Sequence, residues 1–270
     1  SLLNKGSRPE IGGKNMCELF FQCDKGAAGD MIGAALMELV PDKKAMLKKL
    51  NQMEIPGVEY VLEKKEKYGI EGNAMTVRIH GQIEEDVHGE CQHGTHGHHG
   101  EHHHHMTMAE IHSIVDGIHA SDKVKKNILG IYDIIAKAES EAHSCTVTEV
   151  HFHEVGAIDA IADVAAVCSI LEELSPSEIL GTEIHTGNGT IQCAHGILPV
   201  PAPATANILR ELPSDHGDID GEICTPTGAA LLKYFVDRYV EEKPVQEKKA
   251  GIGLGKRTFS TPSYFKACLM

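Results

Sequence analysis

His151-Phe152-His153-Glu154-Val155-Gly156-Ala157-Ile158-Asp159-Ala160-Ile161-Ala162-Asp163 reads as a strand that breaks at Gly156 and runs into a helix. Side chains alternate along a strand, so a strand over 147–153 puts His151 and His153 on one face and Phe152 on the other. Beyond the glycine, Ile158, Ile161, Ala165, Cys168 and Leu171 recur at helical spacing, with Asp159 and Asp163 one turn apart beside them. Two imidazoles and three carboxylates, Glu154 included, thus gather at one strand-to-helix turn. Imidazole suits nickel, zinc, copper and iron, and neighbouring carboxylates either bind the metal or fix the imidazole tautomer. The structural alternative is a polar sheet face followed by helix N-terminal charges favoured by the dipole.

Upstream, helical periodicity covers Thr107 to Ile118 and Ser121 to Ala142, the second capped by Ser121. Downstream, Glu178 to His185 and Thr190 to Ala194 read as strands joined through Gly187-Asn188-Gly189 into a hairpin. His195 follows, then the extended Leu198 to Thr205 segment and a helix over Ala204 to Glu211. Thr225 and Pro226 are the N-cap and first residue of a helix expected to run to Val240. Gly251 to Gly255 reads as a turn before a last strand near Tyr264 to Leu269.

Glu18 to Cys23 is a first strand, followed by the glycine loop Asp24 to Asp30 and a helix from Met31 to Val40. A strand, a glycine loop and a helix N-terminus expose backbone N–H groups that can hold a phosphate. Gly26, Gly29 and Asp30 are the candidate phosphate-binding residues, although neither the P-loop nor the GxGxxG spacing is present. The structural alternative is a tight turn with Asp30 as N-cap. Asp42 to Met53 follows as a helix, and Val58 to Lys67 and Asn73 to His80 as a strand pair around Gly69 and Gly72.

Residues 88–105 carry His88, His93, His96, His98, His99, His102, His103, His104 and His105 between glycines, with Cys91 and Glu84, Glu85 and Glu90 close by. So little apolar surface cannot build a core, and a flexible histidine-rich loop that concentrates borderline metals is expected. An internal tag or neutral low complexity is the bland alternative. The chain's 270 residues, 41% of them hydrophobic, suffice for a substantial core, and its formal net charge of −14 argues against nucleic acid or an anionic membrane as partner. Its eight cysteines are scattered without a CxxC, and no apolar run has membrane length, which points to a reducing, cytoplasmic compartment. Residues 1–15 are patternless and read as leader sequence; 16–270 is the folded unit, with 88–105 as its insert. The expected fold class is α/β, with α+β as the alternative: a mixed sheet packed with helices.

GAAGDM (26–31), the histidine-rich insert, HFHEVGAIDAIADV (151–164), CAHGILPVPAPAT (193–205) and CTPTGAALLK (224–233) occur in this order. Together they resemble the LarC family of nickel insertion proteins of nickel-pincer cofactor biosynthesis, over roughly Met16 to Met270. The resemblance implies CTP-dependent cyclometallation of pyridinium-3,5-bisthiocarboxylic acid mononucleotide, with Mg²⁺ or Mn²⁺, to form the nickel cofactor of lactate racemase. The family usually carries an acidic residue where this chain has Gln22. Its CTP-binding region is C-terminal to the portion matched here, so a C-terminal portion and the lactate racemase apoprotein are expected partners; a homo-oligomer is compatible with the sequence.

On that reading the 88–105 tract gathers Ni²⁺ and passes it to His151, His153 and His195, beside Glu154 and Asp159. The substrate phosphate sits at Gly26, Gly29 and Asp30. Nickel insertion at a ring carbon needs a proton acceptor, for which His153 and Glu154 are the candidates, with Asp159 nearby. A non-catalytic nickel store or chaperone, or the nickel-handling half of a split enzyme, is the rival reading; a zinc hydrolase is disfavoured by the absence of HExxH.

Overall fold

The computed structural model describes residues 17–83, 106–147, 150, 152, 157–193, 196–242 and 246–270. The expected leader, the histidine-rich tract, His151, His153, Glu154 and His195 lie outside these residues. In chain order the elements are β1 (Glu18–Gln22), α1 (Gly29–Leu39), α2 (Lys43–Asn51), β2 (Val58–Lys67), β3 (Ile70–Ile79), β4 (Gln82–Ile83), α3 (Met108–Gly117), α4 (Asp122–His143) and α5 (Ile158–Leu174). There follow β5 (Glu178–Gly181), β6 (Ile184–His185), β7 (Thr190–Cys193), β8 (Gly196–Pro199), α6 (Pro203–Leu209), β9 (Ser214–Asp215), α7 (Pro226–Phe235), β10 (Arg238–Tyr239), β11 (Lys249–Gly253) and β12 (Phe265–Leu269).

The main sheet runs β10-β5-β1-β12-β11-β3-β2, with β4 completing the edge of β3. Parallel pairs (β10 with β5, β5 with β1, β11 with β3) are mixed with antiparallel ones, so the expected mixed α/β architecture is what forms. The period of two in β1 divides its side chains: Leu19 and Phe21 enter the main core, while Phe20 joins Leu180 and Cys268 on the opposite face. Phe21 meets Phe265 of β12 edge to face, 5.3 Å between centroids.

Helix α1 lies on β3, β11 and β12 and packs against α5, which in turn packs on α4 and α7. Burial on all sides explains why α5 has ten buried positions rather than one stripe. Its interior is built from small residues and aliphatics, Ala162, Ala165 and Ala166 among them, which let neighbouring helices approach.

Several expectations change in three dimensions. No strand forms at the described positions of 147–153: the Val150 N–H bonds back to Val147, and Phe152 makes a single antiparallel bridge to Met106. Phe152 is instead a core anchor, 1% exposed and edge-on to Tyr132 at 6.0 Å. The expected hairpin across Gly187 to Gly189 is replaced by two pairings, β6 with β9 in parallel and β7 with β8 antiparallel. Helix α7 stops at Phe235, because the chain turns at Val236 to give β10. The glycine-rich 249–253 segment is a central strand, for a reason visible only in its packing: a Cβ on Gly251 would meet Ala35 O at 2.1 Å. Asp30 is not the N-cap of α1; that position is Ala28, and Asp30 is in the first turn.

Candidate functional site

Four segments far apart in sequence meet at one cleft of about 190 Å³. They are the N-terminus of α1, the N-terminus of α5, the Glu222 to Thr227 entry to α7, and the 255–263 loop between β11 and β12. The first segment meets the third through backbone pairing: the Ala27 N–H donates to Ile223 O at 2.8 Å and the Thr225 N–H to Ala27 O at 3.0 Å. Gly26, at φ +120°, allows this join, since a Cβ there would lie 2.9 Å from both Ile223 O and Ser263 Oγ. Ser263 Oγ donates to Lys25 O at 2.9 Å, closing the loop from the other side.

Three helices therefore point their positive ends into the cleft. Asp30 and Asp159 occupy the same place in α1 and α5, the second helical residue, and each carboxylate accepts the next backbone N–H at 2.8 Å. Thr225 caps α7 by accepting from the Gly228 N–H at 3.1 Å. Removing that cap in Thr225→Ala is expected to cost about 1 kcal/mol. A lower denaturant midpoint with an unchanged m-value checks this; an unchanged midpoint would show that Pro226 and the Ala27 pairing hold the helix start unaided.

Asp163 lies one turn beyond Asp159, and its Oδ1 is sealed from solvent without a hydrogen-bond partner. Burial raises its pKa well above the usual carboxylate value, the charges of Asp30 and Asp159 raise it further, and Lys256 and the Asp30 N–H oppose the shift. Tyr132 and Tyr60 are pushed up by burial, with Asp163 adding to both; Tyr60 donates to Ala162 O at 2.7 Å. Opposite this acidic floor stand Lys256, with Nζ 4.0 Å from Asp159, and Arg257, 3.0 Å from the buried Glu222.

Of the candidate residues, Gly29, Asp30 and Asp159 line this cleft and Gly26 shapes its rim. Two backbone donors of the Gly26 to Asp30 turn are already engaged within the chain, Ala27 by Ile223 and Asp30 by Asp163. Gly29 also has a packing role, because a Cβ would meet Asp163 Cβ at 2.8 Å. Glu222, Lys256, Arg257 and Phe259 were not anticipated as site residues; the adjacent cations after a glycine-rich strand were the available signal. Among the described residues no three His, Cys, Asp or Glu side chains converge to hold a metal, and no helix is long and apolar enough to cross a membrane.

Residues 19–270 match the family model described as nickel insertion protein. The chain is 36% identical over 252 residues to the pyridinium-3,5-bisthiocarboxylic acid mononucleotide nickel insertion protein of Clostridium kluyveri, covering 93% of this chain and 61% of that protein. It is 37% identical over 243 residues to the protein of the same name in Acetivibrio thermocellus, covering 88% and 56%. It thus spans about three fifths of the length of the curated relatives it matches. No solved structure matches it. With the GAAGD, AIDAIAD and CTPTG stretches assembled around one cleft and the match extending from Leu19 to Met270, this chain belongs to the nickel insertion protein family.

Proposed function

We propose that this chain takes part in inserting nickel into pyridinium-3,5-bisthiocarboxylic acid mononucleotide, with the mononucleotide bound in the cleft between the three helix N-termini. The observation that carries the reading is the convergence of Asp30 from one motif and Asp159 and Asp163 from another onto a cleft that also presents Lys256 and Arg257. The cationic ring suits the acidic floor, and the anionic groups suit the helix ends and the two cations.

Nickel is the cargo. His151, His153 and His195 would hold it, fed by His93, His96, His98, His99 and His102 to His105. Forming a carbon–nickel bond displaces a ring proton: the C–H electron pair goes to nickel and the proton to a base. His153, Glu154 and Asp159 are candidates for that base. Asp163 joins them, because burial and the charges of Asp30 and Asp159 raise its proton affinity. CTP with Mg²⁺ or Mn²⁺ would serve as co-substrate with a C-terminal portion. The product would supply lactate racemase in the cytoplasm.

The test is a nickel-insertion assay with the mononucleotide, CTP and Mg²⁺ or Mn²⁺, run with and without the C-terminal portion in trans, alongside the His151→Ala, His153→Ala double variant. Turnover by the wild type in either format and loss of it in the variant supports the reading. Nickel binding with no turnover in both formats would sink it and favour a nickel store.

A further inference from the structure

The loop that carries Lys256 and Arg257 is held from behind by a side chain of the β2–β3 hairpin. Lys67 Nζ donates to Gly255 O at 2.7 Å, Lys256 O at 3.1 Å and Arg257 O at 2.9 Å. An ammonium has three donors and no acceptor, so its hydrogen-bonding capacity is spent on three consecutive carbonyls of one loop. The neighbouring Tyr68 hydroxyl donates to Phe259 O, extending the grip by two residues. Burial lowers the Lys67 pKa, with Lys65 adding to the effect and Asp30 opposing it, as expected of an amine drawn under a loop. The cleft lies on the loop's other side, lined by Gly255, Lys256, Arg257 and Phe259. The loop adds few buried apolar anchors of its own between Gly255 and Phe259, so its course depends on these polar ties.

We propose that Lys67 is a positioning residue that sets the 255–259 loop as the cationic wall of the cleft, and that the hairpin tip thereby controls affinity for the anionic part of the bound substrate. This rests on the reading that the mononucleotide occupies the cleft. Lys67 touches no reacting atom, so its loss moves binding rather than chemistry.

The experiment is Lys67→Met in the full chain, with Tyr68→Phe as the milder second variant. Two readouts are used: amide hydrogen exchange over 255–259 without ligand, and KM and kcat for the mononucleotide in the nickel-insertion assay. Lys67→Met is expected to speed exchange in that loop while leaving α1 and β11 protected, and to raise KM on the order of tenfold with kcat changed less than about twofold. Tyr68→Phe should move both in the same direction by less. Unchanged loop exchange in Lys67→Met overturns the positioning role. Faster exchange with an unchanged KM overturns the link to substrate affinity. A wild-type chain that neither turns over nor binds the mononucleotide would remove the functional reading instead, and the exchange result would still decide whether Lys67 holds the loop.

Discussion

Asp163→Asn is expected to stabilise the ligand-free chain at neutral pH and to lower nickel insertion by about a hundredfold or more. The folded chain confines this carboxylate beside Asp30 and Asp159, with Oδ1 lacking a partner, so ionisation is unfavourable and the folded pKa stands above the ordinary value of 3.8. The folded state therefore holds a proton that the unfolded state has released. The contribution of this carboxyl to stability is greatest below about pH 4, falls as pH rises toward the raised folded pKa, and then levels off. Asparagine keeps the acceptor for the Asp30 N–H and turns an amide donor toward the neighbouring carboxylates. Removing the ionisable group, and with it the cost of keeping it protonated or charged in the interior, should contribute about 1–3 kcal/mol near neutrality, or several degrees in Tm. The difference from wild type should shrink toward zero below about pH 4. The groups facing Asp163 are Asp30, Asp159, Lys256, Tyr60 and Tyr132, and of these the two carboxylates raise its pKa through their charge. Parallel measurements on Asp30→Asn separate their share. A variant whose melting temperature tracks wild type at every pH would show that Asp163 carries no stored electrostatic strain.

Gly253→Ala should be the most damaging single-methyl change in the sheet. A Cβ at Gly253 would lie 1.8 Å from Met31 O and 2.9 Å from Ala35 N, both backbone atoms of α1. Neither is the yielding end of a side chain, so strand and helix would have to separate. Overpacking of this kind costs on the order of 3 kcal/mol or more. The site would suffer with the fold, since α1 presents Asp30 to the cleft and a neighbouring Cβ at Gly255 would meet the Met31 side chain at 2.9 Å. Thermal unfolding and recovery of soluble protein are the readouts. Gly117→Ala is the control: nothing lies within 4 Å of its Cβ position, so a change of less than about 0.5 kcal/mol is expected there. Equal melting temperatures for Gly253→Ala and wild type would mean that α1 does not sit against β11 as described.

The pairing of these two outcomes says how the molecule is built. Glycines at 29, 33, 251 and 253 let α1 lie close to α5, β3 and β11, and that closeness brings Asp30 within range of Asp163. Tight packing thus supplies the electrostatic cost that raises the proton affinity of the proposed acceptor Asp163.

Periodicity and capping chemistry in the sequence alone determined β1, the β2–β3 hairpin, α1 to α5, the Thr225-Pro226 start of α7 and β12. Each is specified by neighbours within a few residues: alternation in Leu19 to Phe21, Ser121 and Thr225 as caps, and a tight turn at Gly69. The chain also singled out Asp30 and Asp159, which both fall at a glycine break leading into a helix and both line the cleft. Tertiary structure decided the rest. It made the glycine run 249–253 a central strand, where low strand propensity is outweighed by the closeness of α1. It left Phe152 as a core anchor with one bridge in place of the strand expected around it, and it re-paired β6 to β9. It also brought Glu222, Lys256 and Arg257 to the cleft that Asp30 and Asp159 line, with Lys256 paired to Asp159 and Arg257 to Glu222. Local spacing encodes the torsions of a segment and the face it buries, whereas a cleft between four segments exists only once the sheet order has set their distances.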